Sequence, residues 1–481
     1  MKKIRSCLSS AILFVLIAGG LFSSTNGYAN DPIKKYLKQS IPTAWSNDSL
    51  FEAQLPIEDQ WWQTFEDATL DSLMSIAFEN SNNVLIAAKR ITAAKAQMRG
   101  AYGGLFPQIE LNGGWQRERV SKSTNPVSPL FEAGYAANLS ATWELDIFGQ
   151  IWQKARAQGS LYNASKAEYY GVMVSLASNL ASAYFNLRSY QELLAVTQSN
   201  ITSQESILKI TQVRYDTGLA SELDVAQAKS IYYNTKSQLN PILAAIDSYI
   251  NSIAVLLGVY PSQIRASLSA VASYPQVVHL IPVNLPAGII TQRPDIISSL
   301  NQVQAEAALL GASRADWFPT FLLTGSIGFS APEMKHLFEK NSQTWQIAPA
   351  MKWTIFSGGQ RREAYVAQRA ALDEAILQFN QNVLTAFQDV ETAMSSYKNS
   401  VKEINDLNTV VNQGKVTLNL SLELYKEGLS QFQDVLSSQQ SLLSYESSLV
   451  NAKNKTLQSL IQLYQSLGGG WVENPKIKMK Y

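Results

Sequence analysis

The 481-residue chain has one cysteine, two histidines and no surplus of charge, since 39 Lys and Arg stand against 38 Asp and Glu. Each scarcity excludes something. A net charge of +1 leaves no basic field for nucleic acid and no acidic tail. Cys7 precedes the apolar stretch near the N-terminus, so the chain beyond it has no disulfide, thiol nucleophile or lipidated cysteine to offer. His279 and His336 have no second His or Cys at ligand spacing and read as ordinary loop residues rather than as a transition-metal site. Ser437, Ser438, Ser441 and Ser444 lack a His partner, and no G-x-x-x-x-G-K-[ST] loop occurs. The expectation is a protein without cofactor that is not an enzyme. Eight methionines and two histidines also argue against a dedicated copper or silver exporter.

Long apolar runs are missing too, apart from one at the start. MKKIRSCLSS leads into AILFVLIAGGLF and closes on Gly27-Tyr28-Ala29, which is a basic region, an apolar core and a small-x-small ending. Residues 1–29 therefore read as a secretory signal cut after Ala29, too short for a span of about 20 residues. With no cysteine at the cut, no lipid anchor is expected.

What is present is repetition. RYDTGLASELDVAQAKS (214–230) returns as LYKEGLSQFQDVLSSQQS (424–441), with Tyr215 and Tyr425, Gly218 and Gly428, Leu219 and Leu429, and Asp224 and Asp434 each 210 residues apart. Gly149 to Val213 holds no proline, and Leu176, Leu180, Ala183, Leu187, Tyr190, Leu194, Ile201 and Leu208 keep a coiled-coil spacing that Thr197, Gln204 and Thr211 interrupt. The same register, displaced by 210, runs through Ala386, Val390, Ala393, Tyr397, Ile404, Leu407, Val411 and Leu418, with Ser400, Gly414 and Ser421 as exceptions. Helices of this length measure about 100 Å, which no globule accommodates. Each is expected to stop at Gly218 or Gly428. Ser221 and Ser430 are expected to cap a returning helix that closes at Leu257-Gly258 or Leu467-Gly468, and Pro241 to kink the first of these.

Ahead of each long helix, after shorter helices near 83–104 and 295–317, lie two alternating stretches. Ile109, Leu111, Gly113 and Trp115, then Tyr135, Ala137, Leu139, Ala141, Trp143 and Leu145, put apolar residues on one face of a strand pair. Phe321, Leu323, Gly325, Ile327 and Phe329, then Trp345, Ile347, Met351, Trp353 and Ile355, do so again, with Pro349 predicting a bulge or local loss of pairing. The strand length and the tryptophans near the ends suit a tilted bilayer crossing. Four such strands leave two edges that hydrocarbon does not tolerate, so other copies must complete the sheet. Three copies supply twelve strands, enough for a lumen, and twelve helical columns. The reading is an α+β membrane protein, a trimeric 12-stranded transmembrane β-barrel continuous with a long periplasmic α-helical barrel. Its segments are a signal (1–29), an N-terminal equatorial stretch (30–68), repeat 1 (69–258), an equatorial linker (259–292), repeat 2 (293–468) and a tail (469–481).

WWQTFEDATLDSLMSIAFENSNNVLIAAKRI, TWELDIFGQIWQKARA, IPVNLPAGIITQRPDI with Arg293-Pro294-Asp295, ASRADWFPTFLLTGSIGF and IFSGGQRREA resemble, in order and over essentially the whole chain after the signal, the outer-membrane efflux factors, TolC-like, of the OprM and NodT branch. The resemblance implies a homotrimeric exit duct in outer-membrane lipid that receives substrate from a periplasmic membrane-fusion adaptor and an inner-membrane pump, most often of the RND type. It also implies that Tyr215, Gly218, Leu219, Tyr425, Gly428 and Leu429 form the periplasmic aperture and adaptor contact. Two features depart from the branch: Ala29 replaces its lipobox cysteine, and Ser437 and Gln440 stand where some relatives carry gate Asp and Arg. Asp224 and Asp434 read either as a cation-selecting ring of six carboxylates or as residues favoured at a helix N-terminus. Arg361-Arg362 reads as a lipid-phosphate contact or as a solvated helix start. The rival classes are a trimeric adhesin, whose strands would be consecutive and C-terminal, and a periplasmic scaffold without a barrel.

Overall fold

Two 67-residue helices set the scale of the molecule, Gln150–Asp216 and Gln360–Lys426, each about 100 Å long. The computed structural model describes residues 35–42, 45, 51–53, 60–119, 121, 123, 131–269, 281–283 and 292–469. The signal stretch 1–29, most of 30–59, most of the linker 270–291 and the tail after Gly469 lie outside the described residues. The chain divides into two units, Met1–Ser40 and Ile41–Tyr481. In the first, residues 35–40 form a turn with the Lys35 ammonium 5.3 Å from the centre of the Tyr36 ring. The second carries the elements below.

In chain order these are β1 (Phe51–Ala53), a 3₁₀ turn at Trp61–Phe65, α1 (Ala68–Asn80), α2 (Asn82–Gly103), β2 (Gln108–Arg119), β3 (Phe131–Leu145), α3 (Gln150–Asp216), α4 (Glu222–Ser237), α5 (Leu239–Leu257) and α6 (Pro261–Ser269). There follow β4 (Ile281–Val283), α7 (Pro294–Ala315), β5 (Thr320–Ala331), β6 (Gln343–Lys352), α8 (Gln360–Lys426) and α9 (Phe432–Ser466). The succession of short helix, strand pair, long helix and returning helix thus occurs twice. Residues 30–68 and 259–292, which carry neither seam nor alternation in sequence, are not wholly irregular: β1 and β4 pair in parallel, Phe51 opposite Ile281.

The two strand pairs form one antiparallel sheet in the order β2-β3-β5-β6. Paired residues share a face. Leu111, Leu139, Ile327 and Trp345 form one row across all four strands, as do Ile109, Ala141, Gly325 and Ile347. The other face carries Asn112, Asn138, Gly328 and Thr344, then Glu110, Ser140, Ser326 and Gln346. Every member of the first apolar row is at least 45% exposed, so none of the described residues covers that row. No bulge forms at Pro349, contrary to expectation, and pairing runs unbroken through Leu323↔Pro349. The reason is position: β6 is the edge strand within one chain, and the N–H that Pro349 lacks interrupts none of its pairing with β5.

Equivalent devices tie sheet to helices in both halves. The Trp143 indole donates to the Leu105 carbonyl at 2.9 Å and the Trp353 indole to the Trp317 carbonyl at 3.1 Å. Asp146 caps α3, accepting from the backbone N–H of Ile151 and Trp152 at 3.1 and 2.7 Å.

The returning helices behave as their sequences predict. The first breaks at Gln238, one turn before Pro241, while α9 runs uninterrupted for 35 residues. By length and composition alone Glu222–Leu257 would pass as a membrane span, although the sequence shows no second long apolar run. It packs instead along α3. Each returning helix abuts the start of a pre-strand helix, so the two stack into a column that matches the long helix. At Gly258 a β-carbon would stand 2.6 Å from the Asn80 carbonyl oxygen, and at Gly468 one would stand 3.1 Å from the Cα of Arg293. The core gathers beside these junctions: Tyr184, Phe185 and Leu187 of α3, Ile250 and Ile253 of α5, Leu457 and Tyr464 of α9. Trp61 lies flat on Tyr464, ring centres 5.0 Å apart.

Toward the bends the predicted seam holds its register but not its chemistry. Thr197, Asn200, Gln204, Ile207 and Thr211 are the buried positions of α3, while Leu194, Ile201 and Leu208 are half-buried. Thr197, Gln204 and Thr211, which interrupt the apolar pattern, face inward, and two polar side chains of this stretch find partners on other helices. Gln204 donates to the Thr235 hydroxyl of α4 at 3.0 Å, and Asn200 to Glu446 of α9 at 2.7 Å.

Candidate aperture at the helical bends

Both long helices end in the same way. Gly218 and Gly428 adopt left-handed backbone, with φ of 73° and 75°. The N–H of Leu219 then reaches the Arg214 carbonyl at 2.7 Å and that of Gly218 reaches Tyr215 at 2.9 Å. In the second bend Leu429 reaches Leu424 at 2.8 Å and Gly428 reaches Tyr425 at 3.0 Å. This is a Schellman closure, which satisfies the last carbonyls of each helix.

The returning helices open with reciprocal caps. Asp224 Oδ2 accepts from the Ser221 N–H at 3.1 Å while the Ser221 hydroxyl accepts from the Asp224 N–H at 3.2 Å. In the second bend the cap residue is Gln431, not Ser430 as the sequence suggested. Asp434 accepts from the Gln431 N–H at 3.3 Å, and the Ser430 hydroxyl instead reaches back to the Ser421 carbonyl at 3.5 Å. The two aspartates thus serve helix starts, each through one oxygen.

The six residues matched by motif come together at this end, but they are not equivalent. Leu219 and Leu429 project into solvent, the latter 75% exposed, and Tyr215 is 41% exposed, whereas Tyr425 is 4% exposed. Tyr425 packs on Phe432, ring centres 5.4 Å apart, within a core of Ile207, Ala228, Val411, Leu418 and Val435 drawn from α3, α4, α8 and α9. Arg214, which the motif reading passed over, crosses from the first bend to the second. Its Nη1 donates to the Lys426 carbonyl at 2.7 Å and its guanidinium lies 4.8 Å from the centre of the Tyr425 ring. The signal for it was in view: Arg214 begins the repeated motif, but its counterpart is Leu424, so the repeat drops it. Ser437 lines an open groove of about 640 Å³ between α8 and α9, with Asp406, Gln413, Thr417 and Tyr445.

Arg293-Pro294-Asp295 lies at the far end of the returning helix, away from the bends. Pro294 opens α7, and the buried Arg293 guanidinium pairs with Asp295 at 2.7 Å and Asp389 at 3.3 Å while donating to the Ser466 carbonyl at 2.8 Å. Burial works against its charge, but the two carboxylates outweigh that and hold its pKa above the usual value. The signature is a joint between α7, α8 and α9. Arg361 turns inward to the Thr354 carbonyl at 2.7 Å and so serves the start of α8, while Arg362 is exposed.

A four-stranded sheet open at both edges, set on antiparallel helices of this length, is the fold of an outer-membrane channel. It superposes on the solved outer-membrane channel OprN with a TM-score of 0.86 and 25% identity, over 90% of this chain and 97% of that one. The chain belongs to the outer membrane efflux protein family, whose model matches residues 73–259 and 285–469. It is similar to the antibiotic efflux pump outer membrane protein ArpC of Pseudomonas putida, 28% identical over 422 residues and 86% of each chain. It is likewise similar to the outer membrane protein OprJ of Pseudomonas aeruginosa, 26% identical over 443 residues, 91% of this chain and 92% of that one.

Proposed function

We propose that three copies of this chain form the outer-membrane exit duct of a tripartite efflux system. Twelve strands, four from each copy, close a barrel across the outer membrane, and the repeats 69–258 and 293–468 of each copy build a periplasmic α-helical barrel. Residues 1–29 are removed on export. The duct is passive, and a membrane-fusion adaptor and an RND-type inner-membrane pump deliver to it drugs and other small toxic compounds, in keeping with the likeness to ArpC.

The observation that carries this reading is the sheet. Its two edge strands, β2 and β6, each pair on one side only, and its exposed rows are apolar on one face and polar on the other. Backbone left unpaired in hydrocarbon costs several kcal/mol per group, roughly, so closure by further copies follows. The first returning helix adds support, since only 22% of its most apolar window is buried within one chain. The strand pairs, separated by α3 to α7, do not have the consecutive C-terminal order of an adhesin. The mouth is read as the bends, with Leu219 and Leu429 as adaptor contacts and Asp224 and Asp434 as a ring of six carboxylates.

Purified protein in detergent is expected to run at three times the chain mass and to pass steps of current across a planar bilayer. A lone subunit that carries no current overturns the proposal. Asp224→Asn with Asp434→Asn is expected to weaken divalent-cation block, and an unchanged block removes the ring.

A further inference from the structure

We propose that Arg117 and Arg119 form a phosphate-binding site on the lipid-facing side of the barrel's outer rim, and that its ligand is the phosphorylated glycolipid of the outer leaflet. This site rests on the reading of the sheet as part of an outer-membrane barrel.

Alternation places the pair. β2 ends in Trp115-Gln116-Arg117-Glu118-Arg119, so the two arginines continue the face of Ile109, Leu111 and Trp115, while Glu118 continues that of Glu110 and Asn112. Both arginines are exposed. By register they are the only charged residues on the apolar face of the four described strands, whereas Glu110, Glu118 and Glu144 fall on the polar face. Cations at the rim thus point outward and the acid between them points inward.

Depth follows from the same register. Helix α2 enters the sheet at Gln108 and α3 leaves it at Leu145, so Arg119 lies at the end away from the helices, the outer end when the helices are periplasmic. From Tyr135 to Leu145 the apolar face of β3 covers about 33 Å along the strand, or about 25 Å of depth at a tilt of about 40°, the height of an outer-membrane apolar band. Aromatic residues close that band. The Trp115 ring centre lies 6.4 Å from that of Tyr135, and the exposed Phe338 packs edge-on to Phe329 at 5.5 Å. Arg117 and Arg119 stand about 5 and 10 Å beyond Trp115, which is headgroup depth and not hydrocarbon.

The chemistry selects the ligand. Two guanidinium groups rooted about 7 Å apart on one face each offer a planar fork to phosphate oxygens. Directly below them runs the exposed apolar row of Leu111, Leu139, Ile327 and Trp345. A molecule with phosphates on its head and acyl chains beneath fits both parts; a free anion fits only the first. A second copy of the chain adds its strand at the β2 edge, in the plane of the sheet, whereas these side chains stand perpendicular to that plane.

Titration of the detergent-purified trimer with diphosphoryl lipid A, followed by native mass spectrometry, tests the site. Arg117→Gln with Arg119→Gln is expected to weaken binding roughly 10–30-fold. Arg117→Lys with Arg119→Lys should fall between, keeping the charge and losing the fork. Glu118→Gln, on the other face, should bind as the parent does. Lipid A stripped of its phosphates should not distinguish parent from glutamine variant, and excess inorganic phosphate at matched ionic strength should displace little of the lipid. Equal affinity of parent and glutamine variant for diphosphoryl lipid A overturns the site, and full displacement by inorganic phosphate overturns its ligand. A glutamine variant that falls apart into single chains places the arginines between copies and overturns the site too. Parent trimers that conduct current yet bind the lipid no better than the glutamine variant sink this site alone. A parent that neither assembles nor conducts sinks the duct, and the site with it.

Discussion

Arg293 shows how much one side chain can hold together. Its fork meets two carboxylates and a helix-terminal carbonyl on three different helices, so removing it strands all of them at once. Arg293→Ala is expected to destabilise the protein by about 2 kcal/mol, below the 3–5 typical of a fully buried pair because Asp295 and Asp389 keep some water. Urea unfolding in detergent measures it, and Arg293→Lys should recover only part, lacking the planar fork. Two buried tyrosines add a pH signature. Burial first, helped at Tyr184 by a 2.5 Å bond to Asp67, pushes Tyr184 and Tyr397 from 10.0 up to about 12. The folded state therefore favours the neutral phenol. The stability this gives is complete below pH 10 and is lost as pH rises toward 12, so Tyr184→Phe should flatten that part of the alkaline unfolding curve. At this scale the sequence was only half readable. The Arg-Pro-Asp triplet was visible as a signature, but Asp389 and Ser466 stand 96 and 173 residues away, and no local pattern links them.

At the scale of elements, glycine position separates two kinds of ending. At the bend, a β-carbon on Gly218 meets nothing within 4 Å, so Gly218→Ala costs only the left-handed backbone, roughly 1–2 kcal/mol. At the junction, Gly258→Ala pays the same strain and also drives a β-carbon onto the Asn80 carbonyl at 2.6 Å. Thermal unfolding should rank Gly258→Ala clearly below Gly218→Ala, and equal losses would mean the column is not tightly stacked there. The exposed leucines of the bends separate stability from contact. Leu219→Glu with Leu429→Glu is expected to leave stability within about 0.5 kcal/mol per site while abolishing co-purification of the adaptor. Helix lengths, the Pro241 break and both glycine stops were legible, because propensity and period decide them locally. Why polar residues enter the seam was not. Gln204 looks like an interruption, and Asn200 does not stand out at all, until Thr235 and Glu446 are placed across from them.

At the scale of the whole molecule, the proposal that further copies complete the barrel rests on the four strands. Alternation along each strand was legible, and so were the two faces; the order β2-β3-β5-β6 was not, since it depends on β3 meeting β5 across the whole of the first helical hairpin. That order puts Leu111 on β2, at one open edge, in a row with Leu139, Ile327 and Trp345, and Asn112 in the opposing row with Asn138 and Thr344. If the apolar face meets lipid and the polar face meets water, neighbouring residues must respond oppositely to the same charge. Leu111→Arg is expected to cost about 2–4 kcal/mol per chain near the bilayer midplane, and three copies multiply the penalty in one assembly. Asn112→Arg places its guanidinium in the water-filled lumen and should assemble normally, with altered ion selectivity as its mark. Quantifying heat-modifiable trimer in outer-membrane fractions compares the two directly. Equal tolerance would mean that the sheet does not cross a membrane, and the reverse order would mean that its faces are assigned backwards.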